Sequence, residues 1–354
     1  MIPKFPSGSP SIHSILKSRV QEYFDTTGAE RRGYRKLYAK AIVLIALLAV
    51  IYVHLVFFTP VWWLGVLECA FLGIVISGVG FNVMHDGSHG SFSGNKKMNA
   101  FAAWSLDFLG GNAFMWNMKH CMIHHSFTNV EGVDDDINVG ILMRMNEHQK
   151  KFLMHRFQHW YFWFLYMLLY VAWIFYTDYK KYFSGMIGSV PIKKMSIKDH
   201  LTFWSGKVIH AGVYMIIPIM AVGFLPWFIG FMTMGMVAGL VLSIVFQLAH
   251  TVDSTEFPIA NIDSNKLPDE FAVHQIKTTA NFATHNKFIS WMVGGLNFQI
   301  EHHLFPKISH VHYPAISRIV RNVCAEFNIP YLEYPTMGKA ILAHVHHLKK
   351  MGTS

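Results

Sequence analysis

The stretch that decides the fold runs from Val61 to His89 and reads VWWLGVLECAFLGIVISGVGFNVMHDGSH. Val61–Phe81 is almost wholly apolar, and a membrane helix needs roughly 20 such residues. His85 and His89 follow it, four apart, and residues four apart share one face of a helix. The span therefore ends by presenting paired imidazoles at a membrane boundary.

Working outward, further apolar segments lie at Ala41–Thr59, Val208–Phe224 and Trp227–Ala249, with a shorter aromatic one at Trp160–Tyr176. Each remaining histidine group lies just outside an apolar segment. His120-Cys-Met-Ile-His124-His125 repeats the four-residue spacing, and the adjacent, offset His125 can reach a second metal. Gln299-Ile-Glu-His302-His303 forms a third group, and His250 closes the last apolar segment. A lone HxxxH is weak, and Gly87 inside it lowers helix propensity. Joint occurrence is what points to metal. Imidazole suits iron, copper, zinc or nickel, and seven or eight rings exceed one four-ligand structural site. They are enough for two metals with open positions.

Composition excludes several classes. Of 354 residues, 52% are hydrophobic and 14% charged, which marks a membrane protein rather than an ordinary soluble domain. Cys69, Cys121 and Cys324 form no CxxC pair and imply no disulfide framework. On an α-helix Cys121 points away from the His120/His124 face. The first apolar segment follows a long basic stretch and lacks a small-residue cleavage site, so it does not read as a secretion signal.

Charge sets the topology. The formal charge is +9, yet no Lys or Arg falls in Thr59-Pro60-Val61 or Leu225-Pro226. The positive-inside rule makes those two links external and the rest cytoplasmic, which leaves no need for a nucleic-acid partner. If Trp160–Tyr176 crossed, the lysines of 177–207 would lie outside and the third histidine group would part from the first two. The segment is therefore expected to lie in the interface. The expectation is an all-α integral membrane protein with four transmembrane helices in two hairpins and both termini inside. Its parts are an amphipathic arm (1–40), a central domain (41–325) and a C-terminal tail (326–354). Within the first hairpin, His54 and Glu68 sit at similar depth and are expected to pair.

Imidazole ligands need partners on their outer nitrogens. Asp86, Asn129, Asp134, Asp135, Asp136, Asn297 and Glu301 are well placed in sequence, as is His310, and His312 follows it. The other histidines read as ordinary: His148, His155 and His159 flank the aromatic segment, and His344, His346 and His347 sit in a polar tail. Trp104, Trp116 and Trp291 could line a chain-holding tunnel, or simply be core or interface residues.

HDGSH, HCMIHH with the following Ser-Phe-Thr-Asn, and GGLNFQIEHHLFP resemble the three histidine boxes of the membrane fatty acid desaturases, over residues 60–325. Gln299, where many relatives have histidine, is similar to the front-end branch. Leu16–Gly28 looks like the arm of bacterial members. The resemblance implies two irons held beneath a cytoplasmic helical cap by His85, His89, His120, His124, His125, His302 and His303. His250 would match an additional ligand, and Gln299 would replace one or support the site. It implies an O2-dependent oxidoreductase of the delta-5/delta-6 type, acting on acyl chains carried on CoA, a carrier protein or a lipid. A bacterial inner membrane is the implied setting, with the site on the cytoplasmic face. No HPGG haem motif occurs, so a separate electron donor such as ferredoxin, flavodoxin or a cytochrome b5-like protein is expected. A hydroxylase or ketolase on the same scaffold is the near alternative, and a histidine-rich metal transporter the distant one.

Overall fold

A computed structural model describes residues 2–6, 11–32 and 35–354. Thirteen helices of the described chain organise the site: α1 (Ile12–Thr27), α2 (Arg35–Phe58), α3 (Trp62–His89), α4 (Lys96–Phe108), α5 (113–124), α6 (Leu153–Ser184), α7 (Ile197–Val222), α8 (Phe224–His250), α9 (Phe271–Lys277), α10 (Lys287–Met292), α11 (Gln299–Leu304), α12 (Tyr313–Glu326) and α13 (Met337–Thr353). Five of them, α2, α3, α6, α7 and α8, are long and apolar enough to cross a membrane.

α8 is the central staff, and small residues let its neighbours close on it. A Cβ on Gly73 of α3 would stand 2.5 Å from Met234 O, and one on Gly239 would stand 2.5 Å from Met167 O of α6. Such backbone approach is how membrane helices gain packing where the hydrophobic drive between them is weak. α3 and α8 run in the same direction, with Gly73 against Met234 and Gly80 against Leu242, so both end on one side of the molecule. Those ends carry His85, His89 and His250. The turn at Thr59, φ 46°, closes α2 on α3. The second link falls at Gly223, φ 86°, slightly before the expected Leu225-Pro226, because Pro226 fits within the first turn of α8. In the first hairpin His54 Nδ1 lies 2.8 Å from Glu68 Oε2, the pairing expected from depth.

Three expectations change. α6 is a 32-residue helix, far longer than Trp160–Tyr176, and passes the length test for a span. The arm does not stand apart: Leu16, Val20 and Phe24 are buried in one core with Ile300, Leu304 and Val320. The polar tail is helix α13, and its His344 and His347 are buried. His344 Nδ1 meets Thr251 O at 2.6 Å, while its Nε2 meets the Tyr166 hydroxyl at 2.9 Å. Arm and tail were read as separate because their apolar residues are few, but those few are the ones that face inward.

Candidate metal centre

Four elements deliver the histidines. His85 and His89 end α3, and His250 ends α8. His302 and His303 lie on the short α11, and α5 brings His120 and His124, with His125 next. All eight rings are buried, none more than 8% exposed. Residues Asn117–His124 wind as a π-helix, with His125 N–H donating to His120 O at 3.1 Å. Such wide turns often mark functional sites. This one brings His125 Nε2 to 3.2 Å from His120 Nε2. It also corrects the α-helical reading of Cys121, whose sulfur lies 3.8 Å from His89 Nε2 rather than pointing away.

The ring nitrogens converge in two sets. One nitrogen from each of His85, His89, His120 and His302 lies within 4.8 Å of the others, and the same holds for His124, His250 and His303. His125 sits between, with ring centroids 4.5 Å from His302 and 4.2 Å from His303. His85 Nε2 and His302 Nε2 are 3.1 Å apart. Two nitrogens bound to one ion at about 2.1 Å, at right angles, sit at a similar separation of about 3 Å.

Outer nitrogens are tied to the protein. His124 Nδ1 donates to Asp134 at 2.9 Å, His250 Nδ1 to Thr278 O at 3.3 Å and His303 Nδ1 to Gln275 Oε1 at 2.9 Å. His302 Nδ1 pairs with the Tyr313 hydroxyl at 3.1 Å. The inward Nε2 atoms of His250 and His303 are buried with no hydrogen-bond partner. Burial, then the neighbouring imidazoles, holds His125, His302 and His303 well below the ordinary histidine range, and His120 falls to about 3. Burial opposes protonation of His124 too, but Asp134 outweighs it and the pKa rises. A nest of imidazoles, most of them held neutral and with inward nitrogens that meet only one another or nothing, is what a metal ion requires. The donor set therefore fits the metal that the sequence implied.

The supporting residues divide. Asp134 orients His124 and accepts from Asn129 N–H at 2.9 Å. Asn129 Nδ2 donates to His250 O at 2.7 Å, from a left-handed φ of 58°. Asp136 lies 3.5 Å from His124 Nδ1 and 2.5 Å from Lys119, while Asp135 pairs with Lys181 at 3.5 Å. Asp86 accepts from His310 Nδ1 at 2.8 Å and stands 3.6 Å from His85 Nδ1. Among the described residues, neither Asn297 nor Glu301 has a hydrogen bond to an imidazole. Asn297 bonds Ser290, and Glu301 accepts from Asn281 and Tyr331 while burial lifts its pKa to about 7. They shape the loop that presents α11. Gln299 is buried one turn before His302 and His303. Of the tryptophans, Trp116 stacks on His120 at 4.2 Å between centroids, Trp104 stacks on Phe101, and Trp291 lies by Lys40.

Sequence reading missed Gln275, Thr128 and Tyr313. Thr128 Oγ1 lies 3.1 Å from His303 Nδ1, and Gln275 also donates to His125 O at 3.0 Å. Gln275 sits in FAVHQIK, far from every histidine group, so only the fold reveals it. Tyr313 follows the third group closely and was within reach of a wider search. Gln275→Leu is expected to lower metal retention under chelator challenge by about 10- to 100-fold. Retention equal to wild type would dismiss the role.

Comparison with known proteins gives a consistent picture. The family described as fatty acid desaturase matches residues 60–335. An sn-1 linoleoyl-lipid 6-desaturase of Arthrospira platensis is 36% identical, over 95% of this chain and 91% of that protein. One of the same name from Synechocystis sp. is 34% identical, over 96% and 94%. An acyl-lipid (8-3)-desaturase of Physcomitrium patens is 36% identical, over 96% and 72%.

Proposed function

This chain belongs to the fatty acid desaturase family, and from that premise we propose a front-end enzyme that desaturates lipid-linked acyl chains near their carbonyl end. It is a membrane oxidoreductase that places a double bond in a fatty acyl chain. The lipid-linked substrate rests on the relatives' names, and the front-end position on those names together with Gln299.

The observation that carries the reading is the convergence of buried, unpartnered imidazole nitrogens at one end of the apolar helices. His85, His89, His120 and His302 would hold one ion, His124, His250 and His303 another, with His125 between them. Iron is the metal proposed, because alkyl C–H bonds offer no handle to side-chain acids or bases. When bound, it supplies the one-electron and O2 chemistry.

The protein's own residues fix the ring orientations through Asp134, Gln275, Tyr313 and the Thr278 carbonyl. Trp116 walls one side of the nest and keeps water from it. Removing two hydrogens while O2 becomes two waters needs two further electrons and two protons, hence a separate electron donor.

Four spans remain the proposed topology, with both ends of α6 on the metal side while its middle packs against Gly239 of α8. Contacts at both ends of α6 support this. Near its start Gln158 donates to Arg144 O and to Leu348 O, in the cap that encloses the histidines. Near its end Lys181 pairs with Asp135, beside His124. Lys181, one of the lysines of 177–207, thus lies near the histidines, which supports assigning both to the side that the positive-inside rule makes cytoplasmic. The same rule supports a cytoplasmic-face site, and the Arthrospira and Synechocystis relatives support a bacterial membrane as its setting.

The test is expression in a host of defined fatty acids with double-bond mapping by mass spectrometry. A product two daltons lighter, with its new double bond between the carbonyl and an existing one, is expected. A gain of oxygen would favour the hydroxylase alternative and overturn the reading.

A further inference from the structure

Lys40 lies at the metal-side end of α2 and is only 7% exposed. Its Nζ sits 5.1 Å from the centroid of the Trp291 ring. Among the described residues, that ammonium meets no hydrogen-bond acceptor and no carboxylate in an ion pair. The side chain is largely enclosed, but its Nζ keeps some access from outside, so a ligand oxygen can reach an ammonium whose cation–π contact offsets only part of its lost hydration.

The surroundings tie Lys40 to the metal centre. Asp86, the residue after His85, is close enough for its charge to act on Lys40, yet its carboxylate is already engaged by His310. Trp291 is followed by Met292, whose carbonyl accepts from Asn82 Nδ2 at 2.9 Å, three residues before His85. On the other side Tyr38 donates to Ser93 at 3.0 Å, four residues after His89. Lys40 is thus boxed between the two flanks of the first histidine group. Trp291, 42% exposed, forms the outer wall.

We propose that Lys40 is the binding group for the carbonyl end of the acyl substrate, its ammonium donating to the ester or thioester oxygen while Trp291 flanks it. A double bond counted from the carboxyl carbon is set by how far that end is held from the metal. Lys40 stands near enough to Asp86, the residue after His85, for the two charges to act on each other. The proposal rests on the desaturase reading and adds the residue that fixes where on the chain the reaction falls.

The experiment compares wild type, Lys40→Met and Lys40→Arg, each with metal content measured. One arm presents a linoleoyl glycerolipid in vesicles, the other linoleoyl-CoA, so the arm that responds identifies the carrier. Lys40→Met is expected to raise KM about tenfold or more, the loss typical of a charged hydrogen bond. It should also spread the double bond over neighbouring positions at full metal content, and Lys40→Arg should restore a single position. Unchanged KM and position in metal-loaded Lys40→Met would overturn the proposal. Should Lys40→Met lose metal, Trp291→Leu decides: a shift in KM or position supports the site, and none overturns it. Wild type inactive on both arms would instead count against the desaturase reading.

Discussion

His303→Ala is expected to reduce product formation to background, more than a thousandfold below wild type, and to lower the bound metal. His303 is 1% exposed, its inward Nε2 has no protein partner, and its outer Nδ1 is held by Gln275. Truncation removes one donor of the His124–His250–His303 set and leaves Gln275 Oε1 with only the Thr128 hydroxyl as partner. Metal analysis of the purified protein alongside fatty-acid profiling checks it. His346→Ala is the control, since that exposed imidazole lies outside both sets. Normal product from the His303 variant would remove it from the ligand set.

Gly87→Ala is expected to be nearly as damaging, against what helix propensity alone suggests. Alanine should gain about 1 kcal/mol over glycine in a helix interior. Here, however, a Cβ would stand 2.6 Å from Ala103 N, 2.7 Å from Ala102 Cβ and 2.8 Å from Asn99 O. Two of these are backbone atoms of α4, so the helix itself must move. Overpacking of this kind costs about 1–3 kcal/mol, which exceeds the propensity gain. Because Gly87 lies between His85 and His89, the displacement falls on both rings. The expected result is a lower melting temperature in detergent and reduced metal stoichiometry. Gly94→Ala, with nothing within 4 Å of the added carbon, should behave as wild type. A fully metal-loaded, equally stable Gly87 variant would show that α4 yields without disturbing the centre.

Gly87 also shows where sequence reading stops. In HDGSH the glycine weakens the case for a helix, and only the position of α4 explains it. The histidine groups were legible because imidazole at four-residue spacing beside an apolar span has few structural uses. His250 was legible because it stands at the end of a span as His85 does. His54 and Glu68 paired as depth alone required.

What periodicity could not supply was the π-helical turn at Asn117–His124. Nothing in NMKHCMIH distinguishes it from an ordinary helix, yet it changes which way Cys121 and His125 face. Asn297 and Glu301 looked like partners for imidazoles because they are near in sequence, but they serve the loop. Gln275 serves the imidazole and is near only in space. The arm and α13 were underrated for a related reason. Their burial comes from a few residues such as Leu16, Phe24 and His344, too few to move an average over the segment.

The place of α13 has a consequence for how the protein is made. All eight histidines precede residue 337, so a ribosome exposes the whole donor set before it has finished α13. Yet His344 grips Thr251, the residue after His250, and Arg144 reaches Met351 O at 2.7 Å. Until α13 docks, the end of α8 lacks one of its clamps. Nascent chains therefore carry a complete inventory of donors and an incomplete cage. Lasting metal retention is expected to require a docked α13, and chains truncated before it should carry all eight donor histidines with no lasting hold on the metal.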